Sequence, residues 1–163
     1  NGDKTTGVTI MKMDEELDHG PIISSESYEI SDSNLFPKIN TEIWQLGAEL
    51  LIKTLPDYLA GKINPQPQDH TQATFTKKFT AADGEIKPED TPQNAYNKVR
   101  ALNPEPGAWT LSDNLRELRE QFGVGRRIKL LEAERVPEGL VITKLHAEGG
   151  MPRSSQIKII SRI

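Results

Sequence analysis

Cysteine is absent from this chain of 163 residues, and aromatic residues make up only 6% of it. The absence of cysteine excludes disulfide bonds and cysteine-ligated metal sites, and it is compatible with a reducing cytoplasm. No apolar run approaches the roughly 20 residues that cross a bilayer, and no secretory signal peptide is visible. These absences predict a cytoplasmic protein that needs no metal.

Apolar residues are also sparse. They form 35% of the chain, and the mean hydropathy is -0.57. Both values are low for a well-buried globular unit, and one explanation is that a partner surface is missing. At the usual scale of about 100 to 200 residues per domain, the length allows either one domain or a remnant followed by a small domain.

Charge is distributed unevenly. Residues 1–79 hold 12 acidic against 7 basic side chains, whereas residues 80–163 hold 12 against 13. An acidic protein can still bind RNA where its basic groups cluster, because phosphate attraction acts locally. The candidate RNA-binding residues are Lys98, Arg100, Arg126, Arg127 and Lys129. Interspersed glutamates favour the alternative, a solvated face of mixed charge.

The N-terminal stretch combines a β-branched run with an acidic loop. Val8 to Ile10 suits a pleated strand better than a helix, and a second extended run covers residues 22–30. Between them, Gly20 frees the backbone to turn and Pro21 restricts it. The pattern predicts two strands joined by a loop that holds Asp18 at the rim of a sheet. The carboxylates at positions 14–16 are more typical of a solvated turn.

A long helix is predicted after the second strand. Its apolar residues recur at steps of three and four, which defines a core-facing stripe. The stripe consists of Leu35, Ile39, Ile43, Leu46 and Leu50, and the neighbours Trp44, Leu51 and Ile52 are expected to widen it. Pro37 fits the first turn, whereas Pro56 is expected to interrupt or restart the helix.

Residues 64–74 are rich in proline and polar side chains and predict an extended linker, in which His70 is expected to be solvated. Beyond it, residues 91–102 predict a short helix, and Leu118 marks a second small one. Residues 108–111, 127–133 and 139–145 predict strands. Short strands separated by turns suit a small open barrel of the oligonucleotide-binding (OB) type.

Four ordered blocks carry a resemblance to a known family. They read TGVTIMKMDEELDHGPI, LGAELLIKTLPDYLAGKINPQPQD, TFTKKFTAADGEI and VRALNPEPGAWT. The first resembles the strand and LD.GP loop of methionyl-tRNA formyltransferases. The others resemble the following helix, the passage into the C-terminal domain and a segment within it. Ordered blocks are more specific than one short motif.

The resemblance implies transfer of a formyl group from 10-formyltetrahydrofolate to the methionyl amino group of initiator tRNA, by an enzyme that is a monomer when complete. Asp18 matches the aspartate of the family's catalytic Asn, His and Asp. The Asn and His lie upstream of the matching blocks, and His19 stands where the family commonly has Thr. We therefore expect the 163 residues alone to be catalytically incompetent.

The predicted architecture is α+β. Residues 1–63 are expected to form the end of an α/β formyltransferase domain, residues 64–74 a linker, and residues 75–163 an OB-like tRNA-binding domain, as the resemblance also implies. The binding site for the folate cannot be assigned from these residues.

Two other functions remain open. One is formyl transfer to another acceptor, as in enzymes that act on nucleotide sugars or in formyltetrahydrofolate dehydrogenases. The other is a non-catalytic RNA-binding adaptor that uses only the small barrel. The VRALNPEPGAWT block favours the tRNA enzyme, although Glu105 stands where the family often has Trp.

Overall fold

The computed structural model describes residues 1–137, 139–148 and 157–159. It contains both helices and strands, which confirms the mixed architecture, and it divides into two compact units. One unit spans Asp3–Lys77. The other comprises Asn1 and Gly2 together with the described residues from Lys78 onward. No helix in the described ranges is long and apolar enough to cross a membrane.

The unit of residues 3–77 is built on an antiparallel hairpin. Strand β1 (Thr5–Met11) pairs with β2 (Ile22–Glu29), and the register shifts between Ile10 and Met11, where the acidic loop begins. Helix α1 (Phe36–Leu59) packs on both strands. Leu50 and Thr54 of this helix are buried. The hairpin predicted from the β-branched run is therefore present, with one face covered by α1.

Two expectations for α1 were wrong. The helix continues through Pro56 to Leu59 rather than stopping or restarting there, although Pro37 lies in its first turn as predicted. Trp44, Leu51 and Ile52 do not widen the buried stripe, since they are 73%, 41% and 75% exposed. An apolar side chain at helical spacing indicates a possible contact surface, but the spacing does not say which of two apolar faces meets the hairpin.

The second unit contains a four-stranded antiparallel sheet of order β3-β4-β5-β6. The strands are β3 (Trp109–Leu111), β4 (Arg127–Val136), β5 (Gly139–Ala147) and β6 (Ile157–Ile159). The sheet does not close on itself within the described residues. This small open sheet is consistent with the predicted OB-like domain.

Helix α2 (Pro92–Leu102) covers the buried face of this sheet. Thr91 caps it by accepting a hydrogen bond from the Asn94 N–H at 3.2 Å, as its sequence predicts. Val99 of α2 joins a core that includes Ile128, Leu130 and Leu145 from the strands. Helix α3 (Arg116–Phe122) occupies the predicted charged segment and buries Leu118 in the same core.

Candidate functional site

The acidic loop is closed at its base by backbone contacts. The Lys12 N–H donates to the Pro21 carbonyl at 3.0 Å, and Gly20 is buried against the Lys12 carbonyl. A Cβ atom at position 20 would lie 1.7 Å from that carbonyl oxygen, which no side chain tolerates. Glycine at position 20 is thus required by close backbone approach.

Asp18 lies at the tip of this closed loop with a φ of 54°. Aspartate is one of the few residues other than glycine that adopts this left-handed region. Its side chain is exposed, and no hydrogen bond or ion pair of the described residues involves its carboxylate. The carboxylate that the sequence analysis singled out is therefore available to bind or orient another group.

A second carboxylate in the loop is engaged. Asp14 Oδ2 lies 2.7 Å from His19 Nδ1, and Asp14 Oδ1 accepts the Glu16 N–H at 3.1 Å. The hydrogen bond to His19 lowers the pKa of Asp14, and the same bond raises the pKa of His19. Both side chains remain partly exposed. This pair joins two residues of the loop, and no hydrogen bond of the described residues links His19 to Asp18.

The segment predicted as a linker returns to the loop. Gln66 and Ile22 exchange two backbone hydrogen bonds, each 2.8 Å long. The side-chain amide of Gln68 donates to the carbonyl of Asp18 at 2.9 Å and to that of Gly20 at 2.7 Å. We call residues 66–70 the return segment. Gln66 is thus paired with the hairpin, and His70–Gln72 form a short 3-10 helix, neither of which the proline-rich composition predicts.

His70 is exposed, as the sequence predicts, but it also contacts the acidic loop. Its ring stacks on that of His19, with the two centroids 3.6 Å apart and the planes 9° from parallel. The ring is still exposed on its other side. The return segment therefore contacts the acidic loop through the Gln68 amide and the ring stack, and it contacts β2 through the backbone pair of Gln66 and Ile22.

Two of the predicted tRNA-binding residues have their charged groups in contact with other residues of the second unit. Lys98 Nζ donates to Asp90 Oδ2 and to the Glu85 carbonyl, both at 2.7 Å. Arg100 is only 7% exposed, and its guanidinium lies 5.6 Å from the centre of the Tyr96 ring. These contacts assign Lys98 and Arg100 to the packing of α2 and do not support a phosphate-binding role for either residue.

The remaining three basic candidates lie at the start of β4. Arg126 and Lys129 are exposed, and Arg127 is partly exposed. The guanidinium of Arg127 stacks 3.9 Å from the centre of the Trp109 ring, and its Nε lies 3.7 Å from a Glu148 carboxylate oxygen. Trp109 also donates its indole N–H to the Ala81 carbonyl at 2.6 Å. One ring face of Trp109 is therefore used for packing.

Register places further polar groups on the same face of this sheet. Trp109 pairs with Lys129, which in turn pairs with His146 of β5. Ile128, next to Lys129, is fully buried, so the alternation of a strand directs Lys129 to the opposite face. We call Trp109, Arg127, Lys129 and His146, together with the exposed Arg126 immediately before β4, the β4 surface. Strand alternation does not extend to Arg126. The members of the β4 surface are a tryptophan, three basic side chains and a histidine. Aromatic rings and basic side chains are the groups that bind nucleic acid bases and phosphates.

Sequence reasoning missed Gln68, His70 and His146. Gln68 and His70 lie about 50 residues after the loop that they contact, and nothing in the local pattern pairs them with it. His146 is brought beside Lys129 only by strand register. No cluster of three or more metal-binding side chains occurs in the described ranges.

Comparison with known proteins finds a matching family model for each of the two units. Residues 1–55 match the model of the formyl transferase family, and residues 78–149 match that of the formyl transferase C-terminal domain. A curated relative, methionyl-tRNA formyltransferase of Streptococcus equi subsp. equi, is 42% identical over 82% of this chain. That alignment covers 40% of the relative, so this chain spans less than half of its length.

Solved structures show the same fold. Methionyl-tRNA formyltransferase from Clostridium thermocellum has a TM-score of 0.58 at 18% identity, covering 96% of this chain and 58% of that protein. HypX from Aquifex aeolicus in complex with tetrahydrofolic acid has a TM-score of 0.64 at 18% identity, covering 98% of this chain and 30% of that one. The resemblance found in the sequence is thereby confirmed, and the chain belongs to the formyl transferase family.

Proposed function

We propose that this chain supplies the catalytic aspartate and the tRNA-binding unit of an enzyme that transfers a formyl group from 10-formyltetrahydrofolate to the amino group of initiator Met-tRNA. The main support is Asp18, whose exposed carboxylate is presented by a closed loop within the segment that matches the formyl transferase model. The likeness to curated methionyl-tRNA formyltransferases supports the choice of acceptor.

The chemistry requires more than one carboxylate. An amine that attacks a formyl carbonyl must lose a proton, and donors must stabilise the tetrahedral oxyanion. Asp18 can orient an imidazole or accept a proton through water, but a carboxylate cannot donate to an oxyanion. His19 pairs with Asp14 through Nδ1. The resemblance places the family's catalytic His upstream of the matching blocks, so we do not assign the missing donor to His19. We therefore expect residues 1–163 alone to be inactive.

The reaction is tested by assaying formyl transfer from 10-formyltetrahydrofolate with the complete gene product and with residues 1–163. Acceptors are initiator Met-tRNA and a nucleotide-linked amino sugar. We expect Met-tRNA to be formylated by the complete gene product only. Transfer to the sugar alone would indicate the other acceptor class, and tRNA binding without any transfer by the complete gene product would indicate an adaptor.

Asp18→Asn is the matching site variant. Loss of the carboxylate should reduce kcat by about 100-fold or more, in the range expected for a general acid or base. Asp57→Asn is the control, because Asp57 is an exposed aspartate of α1 whose ion pair with Lys62 contributes little. Equal activity of the two variants would contradict a catalytic role for Asp18.

We assign tRNA contact to the β4 surface, chiefly to Arg126 and Lys129. Replacing both by Ala should weaken tRNA binding and lower the slope of log K against log salt by about 0.7 to 0.9 for each phosphate that the protein no longer neutralises. Lys53→Ala, at an exposed position of α1, is the control. A double variant with the wild-type salt slope would show that these cations do not touch the phosphates.

A further inference from the structure

The closed loop presents Asp18, but it does not by itself fix the direction of the Asp18 side chain. Its backbone lies in the left-handed region, which aspartate visits but does not prefer. Its carboxylate has no bond among the described residues to hold it. A contact that restrains the backbone of Asp18 would therefore narrow the directions open to the carboxylate.

Gln68 provides that contact. A side-chain amide has two N–H donors, and Gln68 directs its nitrogen to the carbonyls of Asp18 and Gly20, on either side of His19. The carbonyl of Asp18 belongs to the same peptide plane as the amide that follows it. Holding this carbonyl restricts ψ of Asp18 and hence the direction of its Cα–Cβ bond.

The return segment is itself anchored on both sides of Gln68. The backbone pair between Gln66 and Ile22 attaches it to β2, and the ring stack of His70 on His19 attaches it to the loop. Gln68 thus acts from a segment that has fixed contacts before and after it. A free surface glutamine would not have this constraint.

We propose that Gln68 is a positioning residue that holds Asp18 in the orientation needed for formyl transfer. This inference rests on the proposed role of Asp18. Gln68 does not touch the reacting atoms in this proposal; it acts through the loop backbone. A misplacement of about 1 Å at a reacting group can lower a rate by about 100-fold, so the loss of both bonds should be visible in kcat.

The test uses the complete gene product with Gln68→Met and Gln68→Glu. Met is similar in length to Gln and has no donor, whereas Glu has one donor only when it is protonated. We expect kcat to fall by about ten-fold or more in both variants at neutral pH, with KM for Met-tRNA within about two-fold of wild type. Part of the loss should be recovered at acidic pH in Gln68→Glu but not in Gln68→Met. A purely structural defect would not produce this difference.

Gln45→Met and Gln45→Glu are the matched controls, because Gln45 is an exposed residue of α1 outside the loop and the return segment. They should retain wild-type kcat. A kcat in both Gln68 variants equal to that of the Gln45 variants would overturn the proposal, as would a fall in kcat that is the same at all pH values in Gln68→Met and Gln68→Glu.

Hydrogen exchange measured on the same proteins separates this inference from the proposed function. Amides of residues 12–22 should exchange faster in Gln68→Met, while those of β4 and β5 stay unchanged. If the wild type transfers no formyl group, the proposed function fails. Hydrogen exchange would then still test whether Gln68 holds the loop. Unchanged exchange at residues 12–22 in Gln68→Met would show that it does not.

Discussion

Gly20→Ala is the substitution with the sharpest structural consequence for the acidic loop. The new Cβ would meet the Lys12 carbonyl oxygen at 1.7 Å and the Lys12 carbonyl carbon at 2.9 Å. Both are backbone atoms, so no flexible side chain can move aside. The loop must separate from β1 by more than about 1 Å, and this separation would break the hydrogen bond from the Lys12 N–H to the Pro21 carbonyl.

The loss of folding stability expected for Gly20→Ala is the sum of three contributions. Overpacking typically costs about 1 to 3 kcal/mol, and one broken hydrogen bond adds about 1 kcal/mol. Against these, alanine lowers the entropy of the unfolded chain and returns about 0.4 to 1 kcal/mol. The net loss of stability in the unit of residues 3–77 should be about 2 kcal/mol.

Native-state hydrogen exchange measures this loss within one unit. Since 1.4 kcal/mol corresponds to a factor of ten, amides of β1 that exchange through unfolding of the unit should exchange about 30-fold faster in Gly20→Ala. Amides of β4 and β5 serve as an internal reference in the same sample.

Gly47→Ala is the control for the alanine itself. Its Cβ meets only a methyl group of Val8, at 3.0 Å, and the gain in helix propensity of about 1 kcal/mol offsets this tight contact. Exchange in β1 should therefore change little. Equal acceleration in the two variants, or none in Gly20→Ala, would refute the steric reasoning.

Two further predictions concern the pH response and the second core. Asp14→Asn should return the pKa of His19 toward 6.5 in an NMR titration, because the Asp14 carboxylate is the main cause of its increase, with Glu16 contributing and His70 stacked on the ring. The stabilisation from His19 is complete below pH 6.5 and is lost as the pH rises through its raised pKa. The stabilisation that the Asp14 carboxylate contributes is complete above pH 3.8 and is lost as the pH falls through its lowered pKa. A His19 titration unchanged in Asp14→Asn would contradict this pairing. Leu145→Ala, at a fully buried position of β5, should destabilise the second unit by about 2 to 5 kcal/mol in urea unfolding, whereas Val124→Ala at an exposed site should change it by less than about 0.5 kcal/mol. Similar unfolding midpoints for these two variants would place Leu145 outside the core.

The periodicity of apolar residues predicted helix α1 better than it predicted which of its side chains are buried. In the predicted stripe, Ile39, Ile43 and Leu46 are partly buried and Leu50 is buried, because a repeat of 3.6 residues is a property of the chain itself. Leu35, the first residue of that stripe, precedes the helix and is 43% exposed. Trp44 has the same apolar character and is exposed. Hydrophobicity specifies that a surface can be buried, but only the packed structure shows which surface is.

At the proposed RNA-binding face, the sequence likewise identified the basic residues but not which of them form ion pairs. Lys98 and Lys129 are equally basic in sequence, yet Lys98 is neutralised by Asp90, whereas Lys129 projects from β4. Ion pairs between residues on different elements depend on distances that composition does not contain. The sequence therefore predicted five RNA-binding cations, and in the fold three of them are exposed or partly exposed at the start of β4.

The sequence by itself determined the family, the hairpin with its acidic loop and the choice of Asp18, because these depend on short ordered blocks and on local backbone preferences. The tertiary structure alone decided that the expected linker returns to this loop, that Gln68 binds the carbonyls of Asp18 and Gly20, and that His70 stacks on His19. These contacts join residues about 50 positions apart. They follow from the way the chain closes on itself, which no local pattern specifies.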